Sequence, residues 1–128
     1  MLVAHLHQWA LSRRECDPGL RIYVDSPELG NPIRPPLVDG YLPDLYCESD
    51  GGFNPIIGEA KTARDLETRH SASQITAYLL ELREHANSTL IIAVPWHAVP
   101  TSKAIVRSLK KRVDGEHVST IFLERLPG

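Results

Sequence analysis

The sequence predicts an α/β domain in which helices flank a central mixed β-sheet. Two amphipathic segments of helical period, and the continuous apolar run between them, indicate this class. Such a run is typical of a strand that is buried on both faces, as in a parallel sheet covered by helices. Shorter strand-like segments precede these elements, so the predicted order is αβββαβαβ, with an antiparallel meander first and crossover helices later.

The first half of the chain predicts one helix followed by extended segments. Apolar residues recur at helical spacing in residues 2–15, and an Asp-Pro-Gly sequence ends that segment. Residues 20–24 are strand-like, whereas residues 26–36 contain four prolines and are expected to form a loop. The chain becomes extended again within residues 38–48, before a Ser-Asp-Gly-Gly turn signal at residues 49–52.

The second half alternates strands and helices. Residues 55–62 are expected to form a strand with mixed faces, and residues 71–85 an amphipathic helix. The continuous apolar run covers residues 88–96. A second amphipathic helix is expected over residues 101–113, and a last strand over residues 118–124.

Composition places the whole chain, residues 1–128, in a single globular domain. It is 42% hydrophobic and 23% charged, which is ordinary for such a domain. The chain has two cysteines and no Cys-x-x-Cys pair, which argues against a disulfide framework and against a structural zinc site. This cysteine content favours a cytoplasmic location. No apolar stretch approaches the length of a membrane span. The formal net charge is −2, so any surface for nucleic acid must be local.

The strand at residues 55–62 carries an unusual pair of charges. Because side chains alternate between the faces of a strand, Ile57, Glu59 and Lys61 share one face. Gly58 and Ala60 lie on the other face, where their small size would let a helix pack closely. Taken alone, Glu59 and Lys61 could be an ordinary surface ion pair.

The predicted turn brings a second carboxylate to Glu59. If the hairpin turns between Gly51 and Gly52, paired residue numbers sum to 103 and Asp44 lies opposite Glu59. Directly opposed side chains have Cβ atoms about 5 Å apart, and two carboxylates at that distance repel unless a proton or a cation lies between them. Oxygen ligands of this kind suit Mg²⁺, so the hairpin predicts a divalent-metal site beside Lys61. An Asp that follows Pro can also simply start a turn.

These residues resemble the PD-(D/E)XK nuclease motif. The matching sequences are Pro43-Asp44 and Glu59-Ala60-Lys61, and the sequence from Gln74 to Tyr78 resembles the Q-x-x-x-Y motif of the exonuclease-like branch. The predicted order of helices and strands also matches the core of that family. The resemblance therefore implies a restriction-endonuclease-like fold and metal-dependent hydrolysis of DNA phosphodiester bonds, with Mg²⁺ as cofactor and Mn²⁺ able to replace it.

The resemblance also implies a role for each motif residue. Asp44 and Glu59 would bind the metal, and the carbonyl of Ala60 would complete its site. Lys61 would contact the scissile phosphate or the attacking water. Gln74 would orient a ligand, the lysine or the DNA backbone.

Several residues outside this set have more than one interpretation. Some family members add a glutamate from the first helix, and Glu15 is the candidate here, although it lies near the end of that helix. Gln74 could instead close an S-x-x-Q capping box at the start of its helix. Tyr78 lies one turn after Gln74, so both side chains can face the hairpin. Trp96 ends the apolar run and is expected in the core rather than as a platform for bases.

Basic residues in two regions are candidates for contact with DNA. Arg64 and Arg69 follow the Glu-x-Lys motif closely and could hold the phosphate backbone. Lys103, Arg107 and Lys110 form a stripe on the last helix. Such a stripe could neutralise phosphates, but it could also be an ordinary solvated helix face.

The predicted partners are DNA and either a second copy of the chain or a partner subunit. A domain of this size leaves no room for a separate sequence-reading domain, so specificity would come from DNA structure, from a dimer or from that subunit. Repair, recombination, a mobile element and phage defence are the settings that the resemblance implies. A non-catalytic DNA-binding or assembly subunit is the main alternative, and RNA is an alternative substrate.

Overall fold

The computed structural model describes residues 2–26 and 33–126. Its helices and strands follow in chain order: α1 (Leu2–Cys16), β1 (Arg21–Val24), β2 (Leu45–Glu48), β3 (Ile56–Ala60), α2 (Ala63–Leu66), α3 (Arg69–Leu82), β4 (Thr89–Pro95), α4 (Val99–Arg112) and β5 (Ser119–Arg125). Most of the predicted proline-rich loop, residues 26–36, lies outside the described residues. No described helix is long and apolar enough to cross a membrane.

The five strands form one mixed sheet in the order β1-β2-β3-β4-β5. The pairs β1–β2 and β2–β3 are antiparallel, whereas β3–β4 and β4–β5 are parallel. Each parallel pair is joined by a crossover that contains a helix, α3 in the first case and α4 in the second. The predicted α/β class, with a mixed sheet flanked by helices, is therefore confirmed.

Helices cover both faces of the sheet. On one face α1 packs its Leu6 into a cluster that includes Leu45 and Ile91. On the other face α3 and α4 cover a cluster that includes Ile92 and Leu79. Neighbouring residues of β4 thus face opposite layers, and both are fully buried. This double burial explains why β4 is apolar along its length rather than alternating.

The α1 layer lies close to the sheet at Gly58, as the small residues of β3 predict. A Cβ atom added to Gly58 would lie 3.1 Å from Leu45 Cβ and 3.1 Å from Leu6 Cδ2. Both contacts are tight, so a methyl group at residue 58 would require these neighbours to move by a few tenths of an ångström. The glycine therefore permits the helix and the β2–β3 hairpin to pack against each other, and it supports the strand that carries the charged residues.

Replacing Gly58 with alanine is expected to destabilise the protein by about 1–3 kcal/mol, because the new methyl group must displace well-packed neighbours. Valine at the same position should cost more, since it adds two further methyl groups. Urea unfolding of the two variants and the wild type measures both effects. Equal stability of all three proteins would show that α1 does not pack closely at this point.

Two predictions about local structure are wrong. The helix predicted from residue 71 begins at Arg69, because the side chain of Thr68 caps it by accepting from the Ser71 amide. The S-x-x-Q sequence is therefore inside α3 and does not form a capping box. Trp96 is also not in the core: β4 ends at Pro95, the chain enters a 3₁₀ turn, and the Trp96 side chain is 50% exposed.

Candidate active site

The hairpin of β2 and β3 has the register that its Gly-Gly turn predicts. Leu45 pairs with Gly58 and Tyr46 with Ile57, so that paired numbers sum to 103. Asp44 is one residue before the first of these pairs, and Glu59 is one residue after it. The two acidic residues are therefore opposite each other at the carboxyl end of β3.

Asp44 is held in place by the backbone of the neighbouring strand. The Ala60 amide donates a hydrogen bond of 2.8 Å to Asp44 Oδ2. Asp44 is partly exposed, whereas Glu59 is only 4% exposed. One carboxylate thus faces the solvent from the rim of the site, and the other lies beneath it on the side covered by α3.

Helix α3 supplies two hydrogen-bond donors to Glu59. Gln74 Nε2 lies 2.7 Å from Glu59 Oε1, and the Tyr78 hydroxyl donates to the same oxygen at 2.9 Å. Gln74 Nε2 also donates to the Tyr78 hydroxyl at 3.1 Å. Gln74 and Tyr78 are one helical turn apart, so they share a face of α3, as their spacing predicts.

Gln74 also links Glu59 to Lys61. Lys61 Nζ donates to Gln74 Oε1, and Lys61 is only 8% exposed. The amide oxygen therefore accepts from the ammonium group while the amide nitrogen donates to the carboxylate, which fixes the orientation of the amide. One buried polar network therefore joins four residues of the two motifs, namely Lys61, Gln74, Glu59 and Tyr78.

The surroundings of Glu59 disfavour its charge. Burial away from water, a hydrogen bond with Asp44 and the charge of Asp44 raise the pKa of Glu59 to about 9, although Tyr78 and Lys61 act in the opposite direction. Burial and the charge of Glu59 in turn raise the pKa of Tyr78. At neutral pH the Asp44–Glu59 pair therefore holds a proton unless another positive charge takes its place.

The donor set fits a hard divalent cation. Both α3 side chains donate to Glu59 Oε1. Glu59 Oε2 and the Asp44 carboxylate are therefore the oxygens that could bind a metal. Within residues 2–26 and 33–126, no group of three or more His, Cys, Asp or Glu side chains could hold a metal ion. A cation at Asp44 and Glu59 would thus need backbone oxygen, water or substrate phosphate to complete its ligands, as Mg²⁺ commonly does. Ala60, whose carbonyl could be such a backbone ligand, lies between Glu59 and Lys61 in the sequence.

Glu15 does not belong to this site. It is exposed in the last turn of α1, next to Cys16. Cys16 lines a cavity with Ile56 and Thr89, the first residues of β3 and β4. The end of α1 is therefore at the amino ends of these strands, whereas Glu59 is at the carboxyl end of β3, so the predicted contribution of Glu15 is wrong.

The basic residues fall into two groups. Arg64 in α2 and Arg69 at the start of α3 are exposed and follow Lys61 closely in the chain. Lys103, Arg107 and Lys110 instead line a groove between α4 and β5, and β5 is two strands away from β3. Only the first group is adjacent in sequence to the candidate site.

Tyr41 also lies beside the network, although it is not among the predicted site residues. Its ring packs edge-on against Tyr78, with centroids 6.5 Å apart, and against His70 at 5.7 Å. A two-residue turn at residues 39–40 with positive φ angles, 49° and 82°, places this tyrosine. The Asp-Gly sequence of that turn is a strong hairpin signal, and it could have located Tyr41 near the motif.

Replacing Tyr78 with phenylalanine is expected to weaken binding of Mn²⁺ by about 10- to 100-fold, because the hydroxyl that orients the Glu59 carboxylate is lost. The change removes a donor that favours the charged form of Glu59. Calorimetric titration with Mn²⁺ measures the effect. Tyr23→Phe on β1 is the matched control and should bind Mn²⁺ like the wild type; an unchanged affinity in Tyr78→Phe would contradict the role of the hydroxyl.

Comparison of the chain with protein-family models, with curated proteins and with solved structures finds no match.

Proposed function

We propose that the chain is a metal-dependent nuclease of the PD-(D/E)XK type that hydrolyses DNA phosphodiester bonds. The observation that carries this proposal is the convergence of Asp44 and Glu59 at the end of β3, with Lys61 joined to Glu59 through Gln74. Ordinary strand packing gives no reason to bury a glutamate and a lysine here, since burial of either charge is costly. A site that binds a cation and a phosphate gives such a reason.

Asp44 and Glu59 would hold Mg²⁺, or Mn²⁺ in its place, with the carbonyl of Ala60 as a further ligand. When bound, the metal would lower the pKa of a water molecule and neutralise charge on the phosphoryl group. Gln74 and Tyr78 keep Glu59 Oε1 in a fixed position by their two hydrogen bonds. The chain thus orients its own ligand before a metal arrives.

Lys61 would neutralise charge on the scissile phosphate. In the described residues its ammonium group forms no ion pair with a carboxylate, and its hydrogen-bond partner is the neutral amide of Gln74. An ammonium group has three N–H donors, so two are left for phosphate oxygens or an attacking water. Burial of Lys61 strengthens its attraction to a phosphate, because the surrounding dielectric constant is low.

Arg64 and Arg69 would hold the DNA backbone beside the cleaved bond. They are exposed, and each is near the start of a helix that follows the motif. The chain has a formal net charge of −2, so the protein as a whole does not attract DNA. A second copy of the chain or a partner subunit would supply further phosphate contacts.

A cleavage assay tests the proposed activity. Linear duplex, single-stranded, branched and plasmid DNA are incubated with the wild type in Mg²⁺, Mn²⁺ or EDTA. Cleavage is expected with either metal and not with EDTA. Lys61→Ala is expected to lower the rate by at least about 100-fold, as for loss of a group that stabilises transition-state charge. Arg21→Ala, which removes a surface ion pair with Glu48, is the control and should cleave normally.

Two results would count against the nuclease. Cleavage in EDTA, or full activity in Lys61→Ala, would show that another site or a contaminant is responsible. DNA binding without cleavage under every metal condition would favour the alternative, a non-catalytic DNA-binding or assembly subunit.

A further inference from the structure

A basic groove runs between α4 and the edge strand β5. It has a volume of about 340 Å³. Four cations and a half-buried aromatic ring line it, namely Lys103, Arg107, Lys110, Lys111 and Phe122, and one acidic residue, Glu116, is present. Because the whole chain has a formal net charge of −2, this concentration of positive charge is a local feature.

One end of the groove lies toward the carboxyl ends of the parallel strands, where the candidate active site is. Near its far end, Lys110 Nζ donates to Thr120 Oγ1 at 3.2 Å, and Thr120 is the second residue of β5. Helix α4 begins just after the carboxyl end of β4, so Lys103 in its second turn is nearer that end of the sheet. Cations along one side of α4 thus extend for about 10 Å from Lys103 to Lys110.

Trp96 directly follows the carboxyl end of β4. Strand β4 is the neighbour of both β3 and β5 in the sheet. The Trp96 ring is 50% exposed, and the His97 ring packs against it edge-on at 5.7 Å. Pro95 and the 3₁₀ turn that follows it position the ring. The exposed half of Trp96 is therefore an aromatic surface near the carboxyl ends of the strands, where Glu59 also lies.

We propose that Trp96, Lys103, Arg107, Lys110 and Phe122 form a single-strand track, which binds an unpaired strand of nucleic acid leaving the active site. This inference rests on the proposed nuclease function, and it specifies the substrate as nucleic acid with an unpaired segment. Cations in a groove together with aromatic rings are the combination that binds single strands, because the cations attract the backbone while the bases stack.

The aromatic residues favour an unpaired strand over other polyanions. The bases of a duplex are stacked on each other and cannot use the face of Trp96, whereas unpaired bases can. An acidic peptide would use the cations but would have no planar base for the tryptophan. The row of cations follows one helix face, which suits one strand better than two.

Fluorescence of Trp96 reports binding directly. The chain has two tryptophans, so Trp9→Phe leaves Trp96 as the sole reporter. This variant is titrated in EDTA with oligo(dT), oligo(U), a DNA duplex of equal length and poly-glutamate. Quenching is expected with the single strands, with an affinity at least about tenfold higher than for the duplex. Whichever of oligo(dT) and oligo(U) binds with the higher affinity shows whether DNA or RNA is the preferred strand.

Variants of the track separate stacking from charge. In the anisotropy of a labelled oligo(dT), Trp96→Ala should weaken binding by about 5- to 100-fold, and Trp96→Phe should restore much of the loss, because a ring is again available. Arg107→Ala should weaken binding and lower the slope of log affinity against log salt by about 0.7. Arg112→Ala, a cation of α4 that does not line the groove, should leave both quantities unchanged.

The outcomes distinguish this inference from the proposed function. Equal or tighter binding of the duplex or of poly-glutamate, or unchanged Trp96 fluorescence with oligo(dT), would overturn the single-strand track even if the protein cleaves DNA. Binding of oligo(dT) that is weakened by Trp96→Ala and by Arg107→Ala supports the track even if no metal supports cleavage, and in that case the nuclease proposal alone is overturned.

Discussion

Replacing Glu59 with glutamine is expected to abolish metal-dependent cleavage and, at the same time, to stabilise the metal-free protein. The amide can still accept from Gln74 and Tyr78 through Oε1, and its N–H can donate to Asp44. It therefore imitates the protonated carboxyl group and carries no charge to bury. Because it is a poor ligand for Mg²⁺, cleavage should fall by at least about 100-fold.

Opposite changes in activity and stability identify a functional site, where a charge is retained at a cost to the fold. At pH 9, Glu59→Gln should be more stable than the wild type in EDTA by about 1–3 kcal/mol. Glu84→Gln is the matched control, since Glu84 is exposed and forms a surface ion pair with its neighbour Arg83. Urea unfolding and cleavage rates of both variants make the comparison. A Glu59→Gln protein that is less stable than the wild type, or that cleaves normally, would contradict this expectation.

The stability of the metal-free wild type is expected to fall as pH rises from about 5 to 9. The pKa of Glu59 rises from its ordinary value of 4.5 to about 9 on folding. Between these values the folded state binds more protons than the unfolded state, so the free energy of unfolding decreases with pH. Below pH 4.5 this slope disappears, because Glu59 is then protonated in both the folded and the unfolded state.

Unfolding in urea at pH 5, 7 and 9, with EDTA present, measures this dependence. The difference between the wild type and Glu59→Gln isolates the contribution of Glu59, because the other titrating groups are common to both proteins. That difference should grow in favour of the variant as pH rises. A constant difference across this range would show that Glu59 titrates normally in the folded protein.

Saturating Mg²⁺ should make the free energy of unfolding of the wild type depend less on pH, since a cation bound to Asp44 and Glu59 replaces the shared proton. The free energy of unfolding of Glu59→Gln should change little when the metal is added.

The site could be predicted largely because its geometry is set by local rules. A hairpin with a Gly-Gly turn fixes which residues are opposite each other, and the alternation of a strand fixes which side chains share a face. Asp44 and Glu59 were therefore placed correctly without any knowledge of tertiary packing. Gln74 and Tyr78 reach the site by helical spacing, which is also a local rule.

Predictions failed where tertiary packing or competing caps decide the outcome. Helix α3 begins at Arg69 because Thr68 provides a cap that competes with the later serine. The position of Glu15 depends on the direction in which α1 crosses the sheet, which its own sequence does not encode. Trp96 resembles a core residue in a continuous apolar run, but β4 ends one residue earlier and the following turn exposes the ring.

Titration of Mn²⁺ into the wild type near pH 7.5 tests most directly whether the Asp44–Glu59 pair exchanges a proton for a divalent cation. Calorimetry in two buffers with different ionisation enthalpies measures the affinity and the protons released. Because the pKa of Glu59 is raised to about 9, binding of a single Mn²⁺ is expected to release close to one proton. Glu59→Gln should bind weakly and release none. Absence of binding to the wild type, or binding of equal strength to Glu59→Gln, would contradict a metal site at these two carboxylates.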